Sequence, residues 1–247
     1  MPETSSISRY AKTEPFELQI ERNQVAWHSN VNVQGYNILH GDQFRAVWEK
    51  SNDTDYVFPA SSLAMTFASS ASETCTVRVF GLDANYVMKN ATVTFSNSTS
   101  GTVTSGTSSF FRINAMQVIS GTTTGTLTAT NSGTVYAQIN AGTGRSQASI
   151  YTVPAGYTFY LTRAQAFTTN NGAQYCTYRV YSQTISGGVT TPLIVLSAPF
   201  TQSYSSTRVV PRVYPENTDV QWQLKQSNPA PGSIQLEGIL IKNDGTV

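Results

Sequence analysis

Charge is scarce in this chain. Of its 247 residues only 12% are Asp, Glu, Lys or Arg, about half the share usual in a soluble domain. Exposed helices are normally dressed with Glu, Lys and Arg, so the shortage argues against a helical protein. A formal net charge of +1 removes the general electrostatic case for binding DNA, RNA or an anionic membrane. Long apolar runs are missing too, and no stretch approaches the roughly 18–20 residues of a membrane span. The opening Met1-Pro2-Glu3-Thr4-Ser5 has neither the basic nor the apolar region of an export leader, which predicts a soluble protein made in the cytosol.

Cysteine and histidine are equally sparse, at two each. Cys75 and Cys176 sit inside strand-like runs, Thr-Cys-Thr-Val-Arg-Val and Tyr-Cys-Thr-Tyr-Arg-Val. Two thiols build neither a disulfide framework nor a zinc cluster, so the expectation is two free thiols filling sheet positions. His28 and His40 lie in loop-like sequence with no carboxylates placed to complete a metal site, and they are expected as polar surface or turn residues. No Gly-x-Ser-x-Gly elbow occurs. Asp53 and Asp55 form an acidic loop without the glycine and late glutamate of an EF-hand. Gly142-Thr-Gly-Arg145 lacks the Lys-Ser/Thr ending of a phosphate loop and reads as a turn. The expectation is a chain with no catalytic residues, no metal and no cofactor.

What is abundant is Ser and Thr, together 61 residues, and tyrosine, with 13. Thr, Val and Tyr suit strands. The chain reads as short alternating runs punctuated by Gly, Asn, Ser and Pro about every 8–12 residues, the pattern of an all-β sandwich or barrel. In the second half eight candidate strands run over 134–139, 148–153, 157–167, 175–184, 189–196, 208–213, 220–226 and 234–241. Val153-Pro-Ala-Gly156, Tyr214-Pro-Glu-Asn-Thr-Asp219 and Asn228-Pro-Ala-Pro-Gly232 are the turns between them. Eight antiparallel strands suit a jelly-roll-like sandwich.

These patterns predict two antiparallel β-sandwich domains, over 61–131 and 132–247, with the boundary at the small polar residues Asn131-Ser-Gly133. Residues 1–60 hold Trp27, Trp48, both histidines and an Asn-rich stretch, Asn30 to Asn37. They read as an extended arm laid on the first sandwich or on a neighbouring subunit. Phe16, Trp27, Tyr36 and Trp48 in that arm are candidate interface residues. So are Tyr157, Tyr160, Tyr178 and Tyr181, from the tyrosine-rich second half. Tyrosine offers large contact area at low entropic cost, and sandwich core, subunit interface and sugar platform all remain open for it.

Several stretches in order resemble a family of virion structural proteins from tailed bacteriophages, especially marine and cyanobacterial ones. They are Pro15-Phe-Glu-Leu-Gln-Ile20, Val31-Asn-Val-Gln-Gly-Tyr-Asn37, Tyr56-Val-Phe-Pro-Ala60, Gly81-Leu-Asp-Ala-Asn-Tyr86, Ser109-Phe-Phe-Arg-Ile-Asn114, Ile150-Tyr-Thr-Val-Pro-Ala-Gly156 leading to Tyr160-Leu-Thr162, and Val213-Tyr-Pro-Glu-Asn-Thr-Asp219. The chain departs from the family at Asn37-Ile-Leu-His-Gly-Asp42, where an Asn-Pro-Asp-Ile-Asp-like stretch is usual. The resemblance implies a non-enzymatic virion component, synthesised in a bacterial cytoplasm and carried in the particle. The two roles expected are capsid-surface decoration and, as the alternative, tail-associated host-receptor binding in a fibre, spike or baseplate. Partners would be other capsid or tail subunits. The chain would form a homo-oligomer, a trimer in the tail reading, where a host surface glycan or receptor is the further partner.

Overall fold

The computed structural model describes residues 14–50, 54–169, 175–186 and 189–243. Among them is one short helix, α1 (Phe16–Glu21), and sixteen strands. The strands are β1 (His28–His40), β2 (Arg45–Ala46), β3 (Leu63–Ala64), β4 (Thr66–Leu82), β5 (Met88–Gly106), β6 (Ser109–Phe110), β7 (Arg112–Thr122) and β8 (Leu127–Asn131). They continue with β9 (Thr134–Ile139), β10 (Ile150–Thr152), β11 (Tyr157–Thr168), β12 (Cys176–Ser186), β13 (Val189–Phe200), β14 (Ser203–Tyr214), β15 (Thr218–Gln226) and β16 (Ala230–Lys242). The protein is all-β and its ladders are antiparallel.

Two of the sheets face each other as a jelly roll. One has the order β1-β16-β11-β14; in the other β10 and β2 lie along β15, followed by β12 and β13. Numbering the eight sandwich strands along the chain, with β2 and β10 as a single second strand, gives 1-8-3-6 facing 2-7-4-5. This is the double Greek-key order of a jelly roll. Period-2 alternation builds its core. Val220, Trp222 and Leu224 of β15 are fully buried against Phe159, Leu161 and Ala166 of β11, Tyr178 of β12 and Ile234 of β16. Each large side chain so buried contributes roughly 2–3 kcal/mol. Cys176 fills a position in this core and Cys75 one in the other sheet, both as free thiols.

The second sandwich strand is made from two distant pieces of chain. Arg45 and Ala46 pair with Leu224 and Gln223, while Ile150 to Thr152 pair with Gln221 to Asp219. Ser149 splices them: its N–H donates to Val47 O at 2.8 Å, and its Oγ donates to Trp222 O at 2.6 Å while accepting Val47 N–H at 2.7 Å. The outgoing and returning chains then run side by side at Trp48 and Ala148. Gly35 of β1 lies on this splice. A Cβ there would sit 2.3 Å from Val47 O and 2.7 Å from Ser149 Cβ, so the close approach of backbones excludes any side chain.

Between the two pieces the chain builds a further sheet, in which β5, β4, β8 and β9 follow one another and β7 flanks β4 beyond β8, while β3 and β6 pair separately as a two-stranded ladder. Its core joins Phe67, Val77 and Val79 of β4 to Val93 and Phe95 of β5, Ile113 and Met116 of β7, and Leu127 and Ile139. Asp83 closes the β4–β5 turn by accepting the N–H groups of Asn85 and Val87. Glu73 closes another, accepting Thr124 and Gly125 N–H and the Ser69 hydroxyl.

Three sequence expectations are corrected here. Residues 28–46 are not an arm: β1 is an edge strand of the jelly roll, paired along its length with β16, and β2 belongs to the facing sheet. The Asn-rich stretch alternates, with Val33, Gly35 and Asn37 inward and the residues between them outward. The expected division at 131/132 falls on the turn of the β8–β9 hairpin, whose strands pair from Leu127↔Ile139 to Asn131↔Thr134. His40, expected at the surface, is fully buried with Nε2 2.7 Å from Leu224 O. Residues 1–13 of the expected arm and Asp53 of the acidic loop lie outside the described residues.

Candidate functional site

The chain's few charges are spent first on joining the inserted sheet to the jelly roll. Arg112 of β7 makes a bidentate pair with Asp219 of β15, Nε to Oδ1 at 2.8 Å and Nη2 to Oδ2 at 2.7 Å, with both side chains buried. Its Nη1 donates to Pro59 O and Phe111 O, and the Thr152 hydroxyl donates to Asp219. The Phe111 ring lies 3.8 Å and the Phe58 ring 5.0 Å from the guanidinium carbon. Both ions are thus saturated with partners, the condition under which a buried pair is tolerated. Asn114 of β7 adds a two-way amide pair with Thr152 of β10, 2.9 Å in each direction.

Beside the splice, Glu49 is buried and accepts the N–H of Asn140 at 3.1 Å and the Thr143 hydroxyl at 3.4 Å. Burial raises its pKa to about 7, an increase that backbone hydrogen bonds from Asn140 and Gln147 only partly offset. An apolar patch of Trp48, Tyr56 and Ile150, with Phe58 and Val135 against it, closes the joint. These groups work as structural fasteners, with their donors and acceptors directed at one another. Among the described residues no cluster of three or more His, Cys, Asp and Glu side chains is placed to hold a metal.

The surface that remains available is the open flank of the jelly roll. β13 and β14 are edge strands of the two facing sheets. Between them runs a groove of about 600 Å³ walled by Leu193, Val195, Val210, Pro211 and Val213. Opposite Leu161 and Arg163 of β11 the register of β14 jumps from Arg212 to Thr207. The intervening residues 208–211 bulge outward, leaving Val209 fully exposed and Val210 at 80% exposure. Arg208 and Arg212 line the groove, and among the described residues no Asp or Glu does. Arg212 donates to Val195 O at 3.0 Å, tying one edge to the other. Exposed valines beside guanidinium groups leave an apolar sheet edge flanked by positive charge.

A second exposed patch lies at the far edge of the same four-stranded sheet. There α1 presents Phe16 and Leu18 outward while Ile20 is buried. Phe16 meets His28 edge-on at 5.7 Å, and Trp27 is 56% exposed with Lys242 Nζ 4.6 Å from its ring centre.

The eight aromatic residues expected at an interface therefore separate. Phe16, Trp27 and Tyr36 are exposed on the β1 side, and Tyr157, Tyr160 and Tyr181 are part-exposed on strands. Trp48 and Tyr178 are corrections. Trp48 is in the joint, its Nε1 donating to Thr54 O at 2.8 Å, and Tyr178 is in the jelly-roll core stacked on Tyr204 at 4.9 Å. The open flank itself was missed, although Arg208-Val-Val-Pro-Arg212 carries its signal: two valines with no alternation, before a proline that cannot extend a ladder.

No protein-family model matches the chain and no curated protein matches it. Among solved structures it is similar to one described as infectious bursal disease virus, Gt strain, at 10% identity, covering 94% of this chain and 79% of that one. The TM-score is 0.22, and a likeness at that level carries no argument.

Proposed function

We propose that this chain is a non-enzymatic structural component of a bacteriophage virion that decorates the capsid surface. The observation that carries the reading is the open flank, where exposed Val209 and Val210 stand beside two arginines on the sandwich edge. The saturated Arg112–Asp219 pair and the enclosed Glu49 support it, because both are committed to holding the protein together. The sequence resemblance points the same way. Contacts made only with the assembled shell stabilise that shell by mass action, by about 2.7 kcal/mol per site at a hundredfold excess over Kd. Many symmetric copies multiply the effect. Purified chain titrated onto undecorated shells should bind saturably and raise the temperature at which they rupture. Absence of saturable binding defeats the reading.

One observation favours a second role, host-receptor binding at the tail. The inserted sheet and the jelly roll enclose a cleft with lobes of about 330 and 240 Å³, which share Phe80, Asn114 and Tyr151. Exposed Phe80 stands among Asn32, Asn90, Gln117 and Arg145, a lining of ring face and amides suited to sugars. Saturable retention of the chain by host envelopes, lost in Phe80→Ala, supports this role, and no retention removes it.

A further inference from the structure

We propose that copies of this chain associate head to tail, the α1 face of one copy docking in the groove between β13 and β14 of the next. The inference deepens the structural reading and rests on it.

Charge complementarity identifies the occupant. The groove carries Arg208 and Arg212 among apolar walls without a lining carboxylate, and neither arginine has an ion pair among the described residues. The opposite combination lies on the same chain, where Glu14, Glu17 and Glu21 fall within eight residues around exposed Phe16 and Leu18. Glu14 pairs with Arg22 and Glu21 accepts the Asn30 amide at 2.6 Å. Glu17 makes neither contact and points to solvent. A guanidinium beside an apolar wall gains most from a carboxylate delivered with its own apolar neighbours, because docking excludes water from both.

The shape of the groove selects against the other obvious occupant, a strand added to the open edge. Pro211 offers no N–H, the 208–211 bulge breaks the ladder, and Pro192 and Pro199 leave β13 without two of its N–H donors. A straight strand has no continuous partner there. A compact, convex element with projecting side chains does, and a groove of about 600 Å³ is in the range that encloses several of them.

Topology then fixes the type of assembly. α1 leads into β1, while the groove is bordered by β14, and these are opposite edges of one four-stranded sheet. They lie three strand spacings apart, about 14 Å. Because the two patches sit on opposite edges of the sheet, the contact is head to tail and heterologous, and it propagates into a ring or an open filament of copies.

Sedimentation velocity of the full chain over a concentration series tests this. Wild type should associate with rising concentration, and less so in high salt. Glu17→Arg and Arg208→Glu should each weaken association about tenfold, and the protein carrying both should regain most of it. Val210→Glu blocks the groove and Leu18→Glu blocks the helix face, each at an exposed position, and circular dichroism establishes that both fold. Mixed equally, these two blocked proteins should form a one-to-one pair that grows no further, since one working helix face remains for one working groove. A wild-type chain that stays monomeric to its solubility limit overturns the proposal, as does association unaffected by Val210→Glu and Leu18→Glu. Shell binding by a strictly monomeric chain would sink this inference while leaving the decoration role intact. Self-association without shell binding would do the reverse.

Discussion

Glu49→Gln should flatten the pH dependence of stability above pH 5. The Glu49 carboxyl has a pKa of about 7 in the folded protein, against an ordinary value of 4.5. Below pH 4.5 it is protonated whether the chain is folded or not, and its contribution to stability is fully present. Between 4.5 and 7 the folded state holds nearly one proton more than the unfolded state. Stability therefore falls as pH rises, by up to about 1.4 kcal/mol per pH unit. The whole shift corresponds to roughly 3 kcal/mol, or about 2 once solvent screening near the Thr143 turn is allowed for. Glutamine mimics the protonated acid: its carbonyl keeps the Asn140 N–H, and its amide turns to the Thr143 hydroxyl, which accepts instead of donating. Urea unfolding at a series of pH values from 4 to 9 is the assay. The variant should match wild type at pH 4 and exceed it by about 2 kcal/mol at pH 8. Two curves that stay parallel across that range would refute the account of Glu49 as a buried acid held near neutrality.

Other outcomes follow from the same packing. Arg112→Met strands Asp219 in the joint and should cost about 3–5 kcal/mol, read by denaturant midpoint, whereas Arg112→Met combined with Asp219→Leu should recover much of it. Gly35→Ala forces a methyl into Val47 O and should cost at least about 1–3 kcal/mol in the same measurement. Glu73 has its pKa lowered, the hydrogen bonds from Gly125, Thr124 and Ser69 together outweighing the opposing desolvation. Its contribution is present above pH 4.5 and lost on acidification, and Glu73→Gln should remove that acid-side slope. Val209→Asp, at a fully exposed position, should leave the unfolding midpoint within about 0.5 kcal/mol of wild type.

Strand positions were largely legible because alternation writes burial directly into sequence. Val220-x-Trp-x-Leu224 and Phe159-x-Leu161 predict strands whatever they pair with. Pairing was not legible. β1 hides behind asparagine, a residue associated with turns, although its inward positions Val33, Gly35 and Asn37 keep a period of two. Ser132-Gly133 looked like a boundary because punctuation marks a turn without saying whether the next strand returns to the same sheet. Neither the splice at Ser149 nor the buried partner of His40 has any local signature, since each depends on residues from about 75 to 185 positions away. The open flank was obscured for a related reason: residues 208–213 read as one strand, and nothing local shows that the bulge turns Val209 and Val210 out.

The splice also sets a timetable for synthesis. β1 leaves the ribosome before the other described strands, yet its partner β16 is translated after all of them, His28 meeting Ile241. β2 must likewise wait for β15. The intervening sheet, whose strands pair among themselves, has its partners to hand much earlier. Nascent chains should therefore show a protease-resistant core of roughly residues 60–140 while the leading strands are still cleavable, and closure of the eight-stranded body must wait until β16 has emerged.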